Sequence, residues 1–416
     1  MSKELEGSYS KLIENYFFLA ALQATNFLIP LIILPYLVRV LGMERFGLIA
    51  FAQAFTQYFI IITDYGFNLS ATREISIYRG DHKRVSVIFC SVMVIRFALL
   101  VACAMVFFSI ISVFSKFQIE WELYLFSFGL VVGNILFPVW FFQGMEKMKY
   151  ITYFNLSSKI VSLVAILFFI QRTSDYLYVP LINSVGLWFS GLASLFLIKK
   201  QFRVGFILPS RRYLRKYFLD STSFFLSRIS LSIYTATNTF ALGIFTNNQM
   251  VGLYSSAEKL YLALQQLYTP LVNTLYPYIS RNKNITLFKR VFFYTNLINT
   301  GILLIVYTFA SEIVNLLFGE GMEVIIFLLR VFSIIAFVMV PSILLGFPLL
   351  AALGLINYAN GSVILGSMIH LSGLAILISF NQISVYSVVY MVLLTETIVI
   401  IIRIMGAAKL RKIEVS

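Results

Sequence analysis

Charge is what this chain has least of. Asp, Glu, Lys and Arg make up 12% of its 416 residues, against roughly 25% in an ordinary soluble domain. Most of the chain therefore has no water-facing surface to cover. Cysteine is almost absent. Cys90 and Cys103 stand 13 residues apart in one expected helix, about 20 Å at the helical rise, too far to pair within it. They are expected as small buried side chains. Two histidines, His82 and His370, are too few and too scattered for a metal cluster, so neither metal nor cofactor is expected. No Gly-Lys dipeptide occurs, which excludes a Walker A phosphate loop and with it an ATPase. No Gly-x-Ser-x-Gly is present, and no outer loop is long enough for a catalytic domain. The sequence reads as something other than an enzyme.

What is present is apolar length. Hydrophobic residues make up 60% of the chain, aromatics 16%, and the mean hydropathy is +0.88. The N-terminal segment MSKELEGSYSKLIENYFF runs into about 25 mostly apolar residues, longer than the roughly 7–15 of a signal-peptide core, and is expected to stay as a membrane helix. Hydropathy between charged or turn-rich breaks gives twelve spans, at 14–40, 46–66, 86–114, 121–143, 151–171, 176–198, 218–245, 251–279, 290–311, 323–348, 357–379 and 384–404.

Lys and Arg set the orientation. Of 32 basic residues, 22 fall in segments on the side of the two termini, and only Arg45, Lys116 and Arg172 on the other. Both termini are therefore expected in the cytoplasm. The net charge of +14 is explained by this asymmetry, and no nucleic-acid partner is expected. The basic stretch KKQFRVGFILPSRRYLRK, 199–216, reads as a linker lying near anionic lipid headgroups. It divides the chain into lobes 1–205 and 206–416.

An internal echo supports that division. Phe46-Gly47-Leu48 with Ala52-Gln53 returns as Val251-Gly252-Leu253 with Ala257-Glu258, and Phe137-Pro138 returns as Phe347-Pro348. Six helices separate the copies, which gives them the same membrane orientation. The expected fold is an all-α integral membrane protein, with twelve transmembrane helices in two pseudo-symmetric six-helix lobes around a central cavity. Gly129 and Gly133 form a GxxxG that reads as close packing within a lobe.

Polar residues recur inside the spans at helical spacing. Gln53, Gln57 and Asp64 fall within about 40° of one another around the second helix. Arg228, Ser232, Thr235 and Thr239 form one polar face of the seventh, and the first helix carries Gln23 and Asn26. Seven basic residues lie within spans: Arg39, Arg96, Lys159, Arg228, Lys259, Arg330 and Arg403. Beyond the first three residues of each span, three acids do: Asp64, Glu258 and Glu396. A charge at mid-bilayer costs about 2.5–3.5 kcal/mol on insertion scales, so these groups need partners or water. Arg39 and Arg403, near helix ends, read as snorkelling to the surface. Arg403 lies seven residues beyond Glu396, on the same helix face.

The words LPYLVRVLG, FGLIAFAQAF, DYGFNLSATREIS and FPVWFFQGMEKMKYI resemble the bacterial O-antigen flippases of the polysaccharide transporter family. That family shares a superfamily with the multidrug and toxin extruders. The resemblance implies movement of an undecaprenyl-pyrophosphate-linked oligosaccharide across the bacterial inner membrane. It further implies an O-antigen polymerase and a chain-length regulator as partners. Arg96, Lys159, Arg228, Lys259 and Arg330 are then candidates for the diphosphate, through charge-assisted bonds. Gln23, Asn26 and Thr235 suit the sugars. Asp64, Glu258 and Glu396 are the candidates for ion coupling. A multidrug or cation extruder of the same fold would need acids where this chain has bases. A membrane-embedded polymerase would want a large charged outer loop.

Overall fold

A single glycine makes the first corner. The computed structural model describes the backbone of residues 2–413 and the side chains of residues 28–225, 229 and 236–410. Its first helix, α1 (Ser2–Asp64), is interrupted at Gly42, whose φ of 77° and ψ of 163° suit a residue without a Cβ. The arms 2–41 and 43–64 carry the first two expected spans. Tyr65 and Gly66, both at positive φ, turn the chain into α2 (Phe67–Tyr78).

Sequence signals account for the remaining boundaries. Asp81 caps α3 (His82–Val113), its carboxylate accepting from the Lys83 and Arg84 amides, two of the donors a helix start leaves open. After the short α4 (Ser115–Gln118), α5 (Trp121–Leu136) stops at Phe137-Pro138 and α6 (Val139–Gly144) resumes. Next come α7 (Met148–Phe169), a 3-10 turn (Thr173–Leu177), α8 (Tyr178–Gln201) and α9 (Arg211–Phe245). Asn247 caps α10 (Asn248–Gln266), and α11 (Thr269–Asn282) follows with proline in its first turn. Asn284 caps α12 (Ile285–Thr308), which leads to α13 (Ala310–Phe318) and α14 (Glu323–Leu344). Pro348 lies in a π-helical stretch, Leu345–Ala351. The chain ends in α15 (Ile356–Ser379) and α16 (Val385–Ile413).

Each of the twelve expected spans falls on helix, and no strand occurs among the described residues. The fourth, eighth and tenth spans are not single straight helices. They break or widen at 137–138, 267–268 and 345–351, at or beside prolines whose missing N–H removes a helix bond. Nine helical stretches among the described residues are long and apolar enough to cross a bilayer. This is a multi-pass membrane protein.

Two compact units divide the contacts. One comprises 1–33 and 51–236, the other 34–50 and 237–416. Aromatic packing fills the first unit. Tyr65 is stacked between Phe218 and Phe225, with centroids 4.5 and 4.6 Å away, while Trp140, Phe141 and Phe142 are fully buried. Gly129 and Gly133 let α5 lie against α8, where Trp188 Nε1 donates to the Gly129 carbonyl at 2.7 Å. Lipid is as apolar as these side chains, so close packing and such bonds hold the helices together.

In the second unit the two echoed glycines meet each other. A Cβ on Gly47 would run into the Asn248 carbonyl and the Gly252 amide, and one on Gly252 into the Met43 carbonyl. The start of the second arm of α1 and the start of α10 therefore touch backbone to backbone.

Candidate functional site

In the first unit the polar stripe of α1 ends in a buried ion pair. Asp64 is the last residue of its helix, and α2 returns Asn68, whose Nδ2 donates to both carboxylate oxygens at 2.8 Å. Arg96 comes from mid-α3 and is 1% exposed. Its Nε donates to the Thr63 carbonyl at 3.3 Å, and one Nη2 reaches Asn134 Oδ1 at 2.9 Å and Asp64 Oδ1 at 3.7 Å. A carboxylate, the Asn134 side chain and a main-chain carbonyl together meet the guanidinium, as a charge in a helix bundle requires.

A cavity of about 150 Å³ adjoins this cluster, lined by Gln57, Ile60, Ile61, Asp64, Gly66, Asn68, Asn134 and Phe225. It presents the carboxylate and three amides, and Arg96 stands behind them. Its polarity and size suit several waters or one small polar group. Lys159 is half-buried on α7, apart from this lining.

A larger crevice, about 540 Å³, lies between α2 and the first turns of α9. Arg73, Glu74, Tyr217, Asp220 and three serines line it. Ser70 and Ser221 share a 2.6 Å hydrogen bond beside it, and Lys216 pairs with Glu74 at 3.4 Å.

The second unit holds the other candidates. Glu258 accepts from Thr239 at 3.2 Å. Lys259 points away from it, over the Phe46 ring at 4.7 Å from the centroid, as the 100° between neighbours on a helix requires. Arg330 is exposed on α14, its guanidinium over Tyr307. Arg39 donates to the Leu316 and Leu317 carbonyls, which the end of α13 leaves open. Glu396 is half-buried on α16.

Arg403 is placed differently from the expectation of a snorkelling side chain. It is 7% exposed, with Nη1 donating to the Ser342 carbonyl at 2.7 Å and Nε to Ser362 Oγ at 3.0 Å. The missing side chain of Gly346 leaves room for the guanidinium. Its serine partners lie on other helices, which spacing along α16 does not reveal. His370, set aside above as no metal ligand, is fully buried and hydrogen-bonded to Asn238 and Thr395. The side chains of Arg228, Thr235, Gln23 and Asn26 lie outside the described residues. Among the described residues no cluster of His, Cys, Asp and Glu could hold a metal ion.

Comparison with known proteins supplies the remaining constraint. Residues 12–283 match the family model described as polysaccharide biosynthesis protein. The "Putative O-antigen transporter" of Escherichia coli (strain K12) is 30% identical over 330 residues, which covers 78% of this chain and 79% of that protein. A protein of the same name from Shigella dysenteriae is 27% identical over 278 residues, 64% of this chain and 67% of its own. Among solved structures, the inward-facing conformation of a multidrug resistance MATE family transporter of the MOP superfamily aligns at TM-score 0.71. Its identity is 15%, over 93% of this chain and 96% of that one. An outward-facing conformation of such a transporter aligns at 0.63, with 14% identity over 97% and 96%. At these identities the structural likeness speaks for the fold.

Proposed function

The chain belongs to the polysaccharide biosynthesis protein family, and from that premise we propose that it is a flippase for lipid-linked O-antigen units. The cargo is an undecaprenyl-pyrophosphate-linked oligosaccharide, and it moves from the cytoplasmic to the periplasmic leaflet of the inner membrane by alternating access. The carrying observation is the 30% identity to an O-antigen transporter along 78% of the chain. A transporter of this superfamily moves cargo and makes or breaks no covalent bond in it, which fits the absence of nucleotide and catalytic motifs.

Charge supports an anionic cargo. More than three residues from either end of the expected spans, Arg96, Lys159, Arg228, Lys259 and Arg330 stand against Glu258 and Glu396, a positive balance that suits a diphosphate. A carrier of cationic drugs would favour the opposite balance. Basic residues gathered on the side of the termini support cytoplasmic ends. The polymerase and chain-length regulator that extend such units are the partners this reading implies.

The test is complementation of a strain lacking its own flippase. Lipid-linked units should accumulate on the cytoplasmic leaflet without this chain and clear with it, while drug susceptibility stays unchanged. Normal membrane levels with no clearance overturn the reading.

A further inference from the structure

His370 stands in the middle of α15, inside the apolar stretch, and none of its surface is exposed. A buried polar ring is costly unless its nitrogens are bonded. Both are, by side chains from two other helices. Nε2 lies 2.7 Å from Asn238 Oδ1 on α9, and Nδ1 lies 3.0 Å from Thr395 Oγ1 on α16. The Thr395 hydroxyl also reaches the Met391 carbonyl at 2.8 Å.

These contacts satisfy two protonation states of the ring. An amide oxygen only accepts, so with Asn238 Oδ1 facing it Nε2 carries a hydrogen in both. In the neutral ring Nδ1 accepts from the Thr395 hydroxyl. When Nδ1 gains a proton it donates to Thr395 Oγ1, and the hydroxyl hydrogen turns to the Met391 carbonyl already within reach. One hydroxyl rotation takes up the change, and no N–H or O–H is left without an acceptor.

We propose that His370 is a proton-binding site, and that binding and releasing a proton there couples this transporter to a proton gradient. The coupling half rests on the flippase reading above, whereas proton binding does not. Among the described residues, α16, which packs against α15, carries Glu396, Arg403 and Lys409, the neighbouring stretch Leu345–Ala351 carries no charge, and α10 and α14, which pack on α16, carry Glu258, Lys259, Glu323 and Arg330. Tyr254 and Tyr261 on α10 are the neighbouring phenols, and residues 236–245 of α9 carry no charge. Glu258 bonds to Thr239, the residue after Asn238. The carboxylate and the imidazole therefore act on the same turn of α9.

The chain's two histidines make the test direct. Full-length protein labelled with ¹⁵N-histidine, in a lipid bilayer without cargo, gives ring signals for buried His370 and for exposed His82. Between about pH 8 and about pH 3, both His370 nitrogens should move to imidazolium positions. Thr395→Val, lacking the rotating hydroxyl, should lose that movement. A His370 signal fixed in one neutral tautomer throughout overturns proton binding.

Coupling is read separately in cells, with membrane levels checked. Export by the unaltered chain should fall when a protonophore is added, and export by His370→Gln should be lost or stop responding. A His370→Gln chain that exports and responds like the unaltered one overturns coupling. If the unaltered chain clears no lipid-linked units while His370 still titrates, the cargo assignment has failed and the proton site stands.

Discussion

Arg96 and Asp64 show how a bilayer-spanning protein keeps a charge. The guanidinium is 1% exposed, and it is held by a carboxylate, an asparagine and a carbonyl from other helices. Removing one member of a buried pair typically costs about 3–5 kcal/mol, because the other is left uncompensated. Arg96→Ala and Asp64→Ala should each lower the melting temperature of the purified protein more than Arg96→Met with Asp64→Leu together. A double variant as unstable as the sum of the singles would mean the two do not interact. Arg228, whose side chain lies outside the described residues, shares a helix face with Thr235 and Thr239 by sequence spacing. Replacement by Ala should abolish export at normal membrane levels, and Lys should restore part of it, keeping charge without the bidentate fork. Unchanged export by Arg228→Ala would remove it from the cargo path. The charged positions were legible in the sequence because hydropathy makes any charge in a span conspicuous. Their partners were not. Ser342 and Ser362 for Arg403, or Asn238 and Thr395 for His370, lie on other helices, where spacing along one helix carries no information.

Elements were more legible than contacts, since their ends are set locally. Pro138 and Pro348 mark discontinuities, and Asp81, Asn247 and Asn284 cap the helices that follow them. The bends within the eighth and tenth spans were not resolved by hydropathy, which averages across a bend. Glycines separate three effects that sequence alone merges. Gly42→Ala meets no atom within 4 Å but must hold φ at +77°, a strain of about 1–3 kcal/mol. Gly47→Ala and Gly252→Ala instead collide with backbone, and each should lower the melting temperature, with the double change less than additive because the two share one contact. Gly301→Ala, in a helix with open space around it, should be neutral or stabilising by roughly 0.5–1 kcal/mol. Equal effects at all four positions would refute this distinction.

At the scale of the whole molecule, the proposed orientation rests on 22 basic residues against three. Reporter fusions after residue 205 and at the C-terminus should read as cytoplasmic, and fusions near Asn248 and Asn381 as periplasmic. A cytoplasmic reading near Asn248 would break the twelve-span topology. The second unit also has a history in time, because its residues 34–50 are separated from 237–416 by the rest of the chain. At roughly 5–20 residues per second, the ribosome needs on the order of ten to forty seconds to pass from one part to the other. During that interval the Gly47 surface has reached the membrane and its glycine counterpart does not yet exist. Insertion machinery or lipid has to hold that bare backbone contact open until α10 arrives. A fragment starting at residue 206 would lack its first seventeen-residue piece for good, so the late half of this protein waits on the early one to finish folding.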